Sequence, residues 1–369
     1  MQAITFSDNQ GLLLTDCHPV PVPKHCEALI RVLRAGICST DLEITKGYIP
    51  GYRGVLGHEF CGIVVTCQLR PELVGKRVVS EINCNDTQFT CSDALFQRNH
   101  APGRSVLGII KRDGALARFV CAPISNLHLV PDSLSDQQAC FAEPLAAACR
   151  ILEQGLPAQG TKVAVLGDKL GGQAALLLIW LPKCWQRGTR CVCAISISLF
   201  HAWLGTMRLV QGVAQRTVIP PDSEAPMTAF PALAGAFDLC IEATGSSAGI
   251  RMAMHLTRAL GTVLLKSTVS TSGHSGCPNQ VSWAELANDI VVNEKTLLGS
   301  RCGPIDLALR LMVKHGSLRS LVDGMTAHVV PISAGLSAMR LAATRGTMKV
   351  QVSFGGTDAT HPLDQPPTV

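Results

Sequence analysis

Four short apolar runs after residue 160, each followed by turn residues, constrain the fold more than any other feature of the chain. Their sequences are TKVAVLG, FDLCIEATG, GTVLLKST and KTLLGSR, and helical segments such as 247–258 lie between them. Short apolar runs bounded by turn residues are typical of buried strands. Their alternation with helices predicts a parallel sheet with helices on both of its faces.

The chain before residue 155 has a different pattern. Short runs there, such as GVLGHEFCGIVV, LVGKRVVSEIN and GALARFVCAP, are separated by Gly and Pro. Strands joined by turn residues at this spacing predict a small, partly open β-barrel. The segment 136–153 changes to a helical pattern that ends at Gly155 and Pro157, and this change marks a domain boundary.

Composition excludes several classes of protein. A chain of 369 residues with 47% hydrophobic and 16% charged residues is long enough for two domains with their own cores. The net charge of +5 is spread out, which disfavours a nucleic-acid partner. The longest strongly apolar stretch, 174–181, is shorter than the roughly 20 residues of a membrane-spanning helix. The 16 cysteines lack framework spacing and no secretory signal is recognisable, so we expect reduced thiols and a cytoplasmic protein.

Three separated motifs supply a thiolate, an imidazole and two carboxylates. They are GICSTD with Cys38, GHEFCG with His58 and Glu59, and AEPLA with Glu143. A catalytic zinc is held by about three such groups, and one position stays open for water or substrate. Each motif alone is weak, because a single Cys is more often a small buried hydrophobe and a single His a hydrogen-bonded group. Together they predict a catalytic zinc.

The longer motifs resemble those of a known family. GICSTDLEITKG, GVLGHEFCGIVV and CFAEPLAAACR precede KVAVLGDKLGG in the order found in zinc-dependent medium-chain alcohol and polyol dehydrogenases of the threonine and sorbitol dehydrogenase type. The resemblance implies an α/β protein with a chaperonin-10-like, partly open β-barrel as its catalytic domain (1–150). A Rossmann domain with a doubly wound parallel sheet would follow (151–303), then a return to the catalytic domain (304–355). We expect the polar, proline-rich residues 356–369 to form a disordered tail.

The resemblance also implies a ligand set. Cys38 and His58 would bind zinc directly, Glu59 would be a direct or near ligand, and Glu143 would lie at or just behind the metal. Which of the two glutamates is the third ligand stays open. For Glu143 the alternative is a carboxylate favoured by the positive end of a helix.

The same resemblance gives further roles to Thr40 and Asp41, which follow Cys38 in the chain. Thr40 would accept the proton of the alcohol; a helix-capping threonine is the other interpretation, and the two roles are compatible. Asp41 would orient a metal ligand from behind. Cys38, Thr40, His58 and Glu59 thus form the expected catalytic set, and the hydride would pass to NAD or NADP on the second domain.

A second, structural zinc is not expected. Relatives hold it with four closely spaced cysteines, but only Cys84 and Cys91 are present here, and Ala101 stands where the last thiolate belongs. Two thiolates cannot complete such a site, so we expect one zinc per chain. The alternative is opportunistic metal binding by polar residues of this lobe, namely Cys84, Asp86, Asp93 and His100.

The dinucleotide-binding turn departs from the family pattern. The residues Gly167, Asp168, Leu170 and Gly171 fit a G-x-G-x-x-G turn from which the middle glycine is missing. No Asp or Glu occurs between Asp168 and Asp222, although a carboxylate is expected about 20 residues after the turn. The segment 168–205 resembles a block substitution, as a compensated frameshift or an altered gene model would produce.

Later cofactor positions match the family again. They follow the last three predicted strands and comprise Ala243, Thr244, Gly245, Lys266, Ser267 and Arg301. For Arg301 an ordinary surface cation is the alternative.

These patterns predict a zinc-dependent oxidoreductase that transfers a hydride between an alcohol or polyol and NAD or NADP. Its partners would be a small alcohol substrate and further copies of itself, as a homodimer or homotetramer. A non-catalytic member with impaired cofactor binding is the alternative, supported by the altered turn. A zinc-free quinone reductase of the same fold is disfavoured by the complete metal-ligand set.

Overall fold

A computed structural model describes residues 1–85, 92–156, 161–167, 191–196, 215–218, 233–268, 282–344 and 346–355, with 191–196 and 215–218 described only as backbone strands. The sequence predictions for Asp168, Leu170, Gly171 and the tail 356–369 lie outside these residues.

The strands of the described residues are, in chain order, β1 (Ala3–Ser7), β2 (Gly11–Thr15), β3 (Glu27–Gly36), β4 (Arg53–Val55), β5 (Glu59–Cys67), β6 (Arg77–Ser80), β7 (Asn83–Cys84), β8 (Ser105–Val106), β9 (Phe119–Pro123), β10 (Leu127–Leu129), β11 (Lys162–Leu166), β12 (Cys191–Ser196), β13 (Gln215–Val218), β14 (Phe237–Glu242), β15 (Thr257–Leu265), β16 (Thr296–Gly299), β17 (Thr326–Pro331) and β18 (Lys349–Ser353).

The α-helices of the same residues are α1 (Ser39–Ile44), α2 (Ala94–His100), α3 (Asp136–Ala139), α4 (Ala142–Glu153), α5 (Ser247–Leu256), α6 (Trp283–Val292), α7 (Ile305–Lys314), α8 (Gly316–Met325) and α9 (Gly335–Ala343). Short 3₁₀ helices span Pro71–Leu73, Ile124–Asn126 and Ile332–Ala334. No helix in the described part of the chain is long and apolar enough to cross a bilayer.

The chain divides into two compact units, Met1–Ala146 with Pro304–Val369, and Ala147–Gly303. In the first unit, as far as it is described, a seven-stranded sheet has the order β10-β6-β5-β3-β18-β17, with β9 also paired to β3. The strand β3 is antiparallel to both β5 and β18, with Gly36 opposite Glu59 on one side and opposite Gln351 on the other. The returning strand β18 is therefore one strand away from the second predicted metal motif.

The second unit contains a parallel sheet whose described strands have the order β13-β12-β11-β14-β15-β16. Alternate residues of its central strands belong to two different apolar clusters: Ala164 and Cys240 to one, Val163 and Leu239 to the other. Both faces are covered, so most positions of such a strand are apolar. Each large apolar side chain that becomes fully buried contributes about 1.5–3 kcal/mol. The predicted doubly wound sheet is confirmed.

Two details differ from the sequence predictions. The helical segment 136–153 forms two helices, because Pro144 lacks the N–H that a continuous helix needs and is tolerated only in the first turn of α4. The helix predicted at 247–258 ends at Leu256, where the Thr257 hydroxyl donates to the carbonyl of Ala253 (2.6 Å).

Candidate metal centre and cofactor edge

Three of the four predicted metal ligands come together in the first unit. Cys38 immediately precedes α1, His58 immediately precedes β5, and Glu59 begins β5. One ligand atom from each lies within 4.8 Å of the other two, and among the described residues no other group of this kind is found. Because Gly36 and Glu59 are paired in the β3–β5 ladder, the loops that follow β3 and precede β5 meet at one end of the sheet.

Asp41 connects the two loops that carry these ligands. Its side chain is fully buried. One carboxylate oxygen accepts the N–H of Cys38 (2.8 Å), and the other accepts the N–H of Gly57 (2.9 Å). The second oxygen also lies 3.6 Å from Nδ1 of His58. A single carboxylate therefore holds the thiol loop and the imidazole loop at a fixed separation.

The surroundings of His58 favour a positive charge. Burial alone lowers the pKa of its imidazole, but the Asp41 carboxylate and the Cys38 thiol raise it well above its ordinary value. Nδ1 of His58 is buried and has no hydrogen-bond partner among the described residues. A field that attracts a proton also attracts a metal ion, which replaces that proton when it binds.

Glu143, the fourth predicted ligand, is not one of the residues whose ligand atoms lie within 4.8 Å of one another, but His58 and Glu59 influence its pKa. It is the second residue of α4, the helix N-terminal position proposed as its alternative role. Burial raises the pKa of its carboxyl to about 7; His58 lowers this pKa and Glu59 raises it. Oε2 is buried and without a hydrogen-bond partner in the described residues. The sulfur, nitrogen and oxygen donors and the two buried atoms without partners fit a zinc ion.

Glu59 has a partner that sequence reasoning missed. Nζ of Lys349 on β18 donates to both carboxylate oxygens, at 3.0 Å and 2.7 Å. Each of the two side chains is only 1% exposed. The available signal was a lysine between the apolar residues Met348 and Val350 of the predicted strand MKVQVSF, because a fully buried lysine is rare unless it is paired.

Thr40 is the second residue of α1, and its Oγ1 lies 3.7 Å from Sγ of Cys38. The residue at the N-cap position is Cys38, so the alternative role of Thr40 as the capping residue is wrong. The short strand-to-helix connection leaves the Thr40 hydroxyl beside the metal motif. Its role as a proton acceptor stays a prediction.

The polar lobe after β6 is only partly described. Cys84 is buried in β7, and Asp93 caps α2 by accepting the N–H of Phe96 (3.0 Å). His100 is the last residue of α2. Asp86 and Cys91 lie outside the described residues.

In the second unit, the predicted cofactor residues follow the carboxyl ends of neighbouring parallel strands. Gly167 follows β11 with φ +119°, and a Cβ there would lie 2.8 Å from the carbonyl group of Ala243. Only glycine permits both this backbone conformation and this approach. Gly245 lies against the next strand end, because its Cβ would be 2.9 Å from the Thr268 carbonyl and 3.4 Å from Cβ of Ser267. The turns after β11, β14 and β15 therefore lie side by side.

Lys266 links the ends of β15 and β16. Its Nζ donates to Oγ of Ser300 (3.2 Å) and to the carbonyl of Arg301 (2.6 Å). This lysine is buried and fixes the backbone on which Arg301 lies.

Glu242, at the end of β14, was not predicted as a site residue. Its fully buried carboxylate accepts the N–H of Thr244 (2.6 Å) and the Thr244 hydroxyl. Burial raises the pKa of this carboxyl, whereas the hydrogen bonds from Thr244 lower it. The Thr244 hydroxyl also lies 2.8 Å from Oγ of Ser246, the N-cap of α5. Glu242 therefore orders the turn 243–245. The only sign of this role in the sequence was a carboxylate at the end of an apolar strand.

The chain is similar to known proteins in sequence and in fold. Residues 24–132 match the alcohol dehydrogenase GroES-like domain. Over 189 residues the chain is 30% identical to the starvation-sensing protein RspB of Escherichia coli (strain K12), covering 50% of this chain and 53% of that protein. Over 143 residues it is 36% identical to D-arabitol-phosphate dehydrogenase of Enterococcus avium, covering 37% and 39%. The matches thus span about half, or less, of these relatives.

Solved structures extend the likeness in fold to nearly the whole chain. The glucose dehydrogenase of Haloferax mediterranei, in complex with NADP, Zn and gluconolactone, superposes with a TM-score of 0.76 at 21% identity, over 97% of this chain and 100% of that chain. The chain has the medium-chain dehydrogenase fold, with a GroES-like domain and a Rossmann domain. In sequence it is similar to the GroES-like domain of alcohol dehydrogenases over residues 24–132 and, over 143 residues, to a polyol-phosphate dehydrogenase.

The unusual pKa of Glu143 leads to a prediction about stability. The pKa of its carboxyl is raised from 4.5 to about 7 in the fold. The stability of the fold therefore falls as pH rises from 4.5 through 7, because the unfolded chain releases this proton more readily. Above pH 7 this pKa shift lowers the free energy of unfolding by about 3 kcal/mol. We expect chelator-treated Glu143→Gln protein to be more stable than chelator-treated wild type in urea unfolding at pH 8.

The same comparison at pH 5 is the control, and there the two proteins should differ much less. A Glu143→Gln protein that is less stable than wild type at pH 8 would show that the carboxylate is satisfied in the fold.

Proposed function

We propose that this protein is a zinc-dependent oxidoreductase that transfers a hydride between an alcohol or polyol and NAD or NADP. The observation that carries the proposal is the group of Cys38, His58 and Glu59, whose ligand atoms lie within 4.8 Å of one another. A sulfur, a nitrogen and an oxygen donor this close together are the kind of set that holds a catalytic zinc. The same group disfavours a zinc-free quinone reductase.

The roles of the residues follow from their contacts. Cys38 and His58 would hold the metal, and Asp41 would keep their loops in place through the N–H groups of Cys38 and Gly57. When bound, zinc acts as a Lewis acid that lowers the pKa of an alcohol. Thr40, beside Cys38, would take up the alcohol proton. The turns at Gly167 and 243–245 and the strand ends at Lys266, Ser267 and Arg301 would bind the nicotinamide cofactor.

The compared proteins support an enzyme with these cofactors. One relative is a dehydrogenase of a phosphorylated polyol, and one structural neighbour is a glucose dehydrogenase in complex with NADP and Zn. The non-catalytic alternative is not favoured by them. The substrate we propose is therefore a polyol or sugar-like alcohol.

We also propose that the protein works as a homo-oligomer. In the described part of the second unit, β16 is the last strand of the sheet. Leu286 and Ile290 of α6 pack against the apolar cluster that includes Ala164 and Cys240. On α6, Trp283 is 70% exposed and Val292 is 78% exposed. A sheet edge beside exposed apolar side chains favours pairing with another chain. Sedimentation equilibrium distinguishes monomer, dimer and tetramer.

The compartment that fits this chemistry is the cytoplasm. Cysteines such as Cys17, Cys26 and Cys61 are free thiols, which supports a reducing environment. Cys38 is one of them. Localisation of a tagged full chain tests this proposal.

The test of the proposed function combines metal content with turnover. Extensively dialysed protein should retain one zinc per chain, and NAD or NADP reduction should be found with a panel of polyols and be lost after chelation. Two zincs per chain would refute the interpretation of the Cys84 lobe. Protein without zinc would remove the catalytic assignment.

Thr40→Ala should reduce turnover by about 10²- to 10⁴-fold, the usual contribution of a positioned proton acceptor. Its zinc content should stay that of wild type, because Thr40 lies beside Cys38 rather than among the ligand atoms. Steady-state kinetics and elemental analysis measure both effects. Thr40→Ser keeps the hydroxyl and is the matched control, expected to retain most activity. If Thr40→Ala lost zinc as Cys38→Ser does, the proton-transfer role would be wrong.

A further inference from the structure

We propose that the first unit binds a small oxyanion that carries a hydroxyl group, such as hydrogencarbonate or hydrogenphosphate, between Arg34 of β3 and Gln351 of β18. None of the residues proposed to bind the metal or the cofactor supplies a donor or an acceptor to this site. The inference therefore goes beyond the proposed function and can be tested without measuring turnover.

Arg34 has two buried hydrogen-bond donors that lack an acceptor. Nε and Nη1 of its guanidinium are buried, and neither has a hydrogen-bond partner in the described part of the chain. Leaving a buried donor without an acceptor is costly, most of all for a charged group. The residue as a whole is partly exposed, which leaves an ion a route from solvent to these donors.

Gln351 has a buried acceptor that lacks a donor. Its side chain is fully buried. Nε2 donates to the carbonyl of Gln137 in α3 (3.0 Å), which fixes the orientation of the amide. Oε1 is buried and accepts no hydrogen bond from a described residue. A ligand that satisfies both side chains must therefore accept hydrogen bonds from Arg34 and donate one to Gln351.

The strand register places these two side chains on one face of the sheet. In the antiparallel pairing of β3 with β18, Arg34 is opposite Ser353 and Gly36 is opposite Gln351. Residues two positions apart on a strand share a face, and so do residues directly opposite each other. Arg34 and Gln351 are therefore diagonal neighbours, a separation that long side chains can bridge.

The charges near this face leave Arg34 without a counter-ion. Its guanidinium forms no ion pair with a described residue. The neighbouring carboxylates are bonded to other cations, Asp136 to Arg77 (2.9 Å) and Glu59 to Lys349 (2.7 Å). Charges that are taken out of water are normally paired, so an anion bound at Arg34 would complete the balance.

The neighbouring thiols do not supply that negative charge. Cys61 is opposite Arg34 in the pairing of β3 with β5, and Sγ of Cys140 donates to the carbonyl of Arg34 (3.2 Å). Burial raises the pKa of both thiols above its ordinary value, and the guanidinium of Arg34 lowers this pKa only in part. Both thiols are therefore neutral near pH 7.

The donors and the acceptor together select the class of ion. Guanidinium groups bind oxyanions through charge-assisted hydrogen bonds. Oε1 of Gln351 would repel an oxyanion that has no hydrogen, but it would accept a hydrogen bond from the hydroxyl of hydrogencarbonate or hydrogenphosphate. Sulfate has no hydroxyl group at neutral or mildly alkaline pH. We therefore expect the site to prefer hydrogencarbonate or phosphate over sulfate.

The test measures thermal unfolding of the full chain at pH 8 in hydrogencarbonate, phosphate or sulfate at one ionic strength. Hydrogencarbonate or phosphate should raise the melting temperature by a few degrees more than sulfate, since a ligand that binds only the folded state stabilises it. Arg34→Met should lose this difference. In buffer without these anions it should be at least as stable as wild type, because it removes a charge that has no partner. Gln351→Met should respond to sulfate as strongly as to phosphate, because the repelling oxygen is gone.

Arg77→Met is the matched control, because the Arg77 guanidinium is bonded to Asp136 and to two backbone carbonyls. It should be less stable than wild type and keep the response to hydrogencarbonate or phosphate. Equal responses of wild type to all three anions would overturn the proposal, and so would an Arg34→Met protein that keeps the preference. If Arg34→Met fails to fold, wild type and Gln351→Met decide the question. Loss of zinc or of turnover would count against the proposed function alone, since unfolding is measured without either.

Discussion

Cys38→Ser and His58→Ala proteins are expected to lose alcohol oxidation almost completely while they retain their fold and their affinity for the nicotinamide cofactor. A Lewis acid contributes several kcal/mol to stabilisation of the transition state. Each 1.36 kcal/mol is a factor of ten in rate, so kcat/KM should fall by at least about 10³-fold. Zinc content should fall with it, because the Ser hydroxyl stays protonated and binds zinc poorly, and Ala supplies no ligand.

Cofactor affinity should change little in these variants, because the metal ligands belong to one compact unit and the residues proposed to bind the cofactor to the other. Zinc analysis, steady-state kinetics and NADH fluorescence titration separate the three properties. Cys17→Ser is the matched control, because Cys17 is an exposed thiol of the same unit that is outside the metal group. If Cys38→Ser retained both zinc and turnover, the metal centre would lie elsewhere.

The architecture of the second unit could be predicted because burial on both faces leaves a simple pattern. The strands β11 and β14 are apolar at nearly every position, and their side chains alternate between two clusters. The division of 136–153 into α3 and α4 was missed, because the helical periodicity continues through Cys140 and Phe141 while Pro144 requires a new helix start. Local patterns predict elements better than they predict where elements end.

That Cys38, His58 and Glu59 lie together was predictable, because these residues belong to short motifs with characteristic neighbours. The partner of Glu59 was not, since Lys349 is 290 residues away in the chain. Their contact depends on β18 returning to pair with β3, with Gln351 opposite Gly36. Glu242 was missed for a related reason: its bonds to Thr244 are local, but its burial results from the packing of the whole sheet.

The second prediction with a large expected effect concerns the cofactor. We expect this chain to bind NADH weakly, with little preference for NADH over NADPH. In the sheet, β12 is parallel to β11, with Leu166 opposite Ile195, so the two strands end at the same edge. The residue at the carboxyl end of β12 is Ser196, and no Asp or Glu follows until Asp222. A carboxylate normally accepts hydrogen bonds from the ribose hydroxyls at this place.

The turn after β11 adds to this loss, because the middle glycine that lets the backbone approach the pyrophosphate is missing between Asp168 and Lys169. Each lost hydrogen bond to a charged or ribose group is worth about 1.5–3 kcal/mol, so two together weaken binding by roughly two to four orders of magnitude. Separate fluorescence titrations with NADH and NADPH measure this effect. Micromolar NADH affinity of the unmodified chain would contradict the prediction and show that Gly171 and Gly172 still receive the pyrophosphate.

Two restored proteins distinguish the contributions. Insertion of a Gly between Asp168 and Lys169 should recover only part of the affinity, and it should do so equally for NADH and NADPH, because both carry the same pyrophosphate. Ser196→Asp should strengthen NADH binding more than NADPH binding, because a carboxylate accepts from the ribose 2′-hydroxyl of NADH but repels the 2′-phosphate of NADPH. Equal gains for both cofactors from Ser196→Asp would mean that the end of β12 does not face the adenosine ribose.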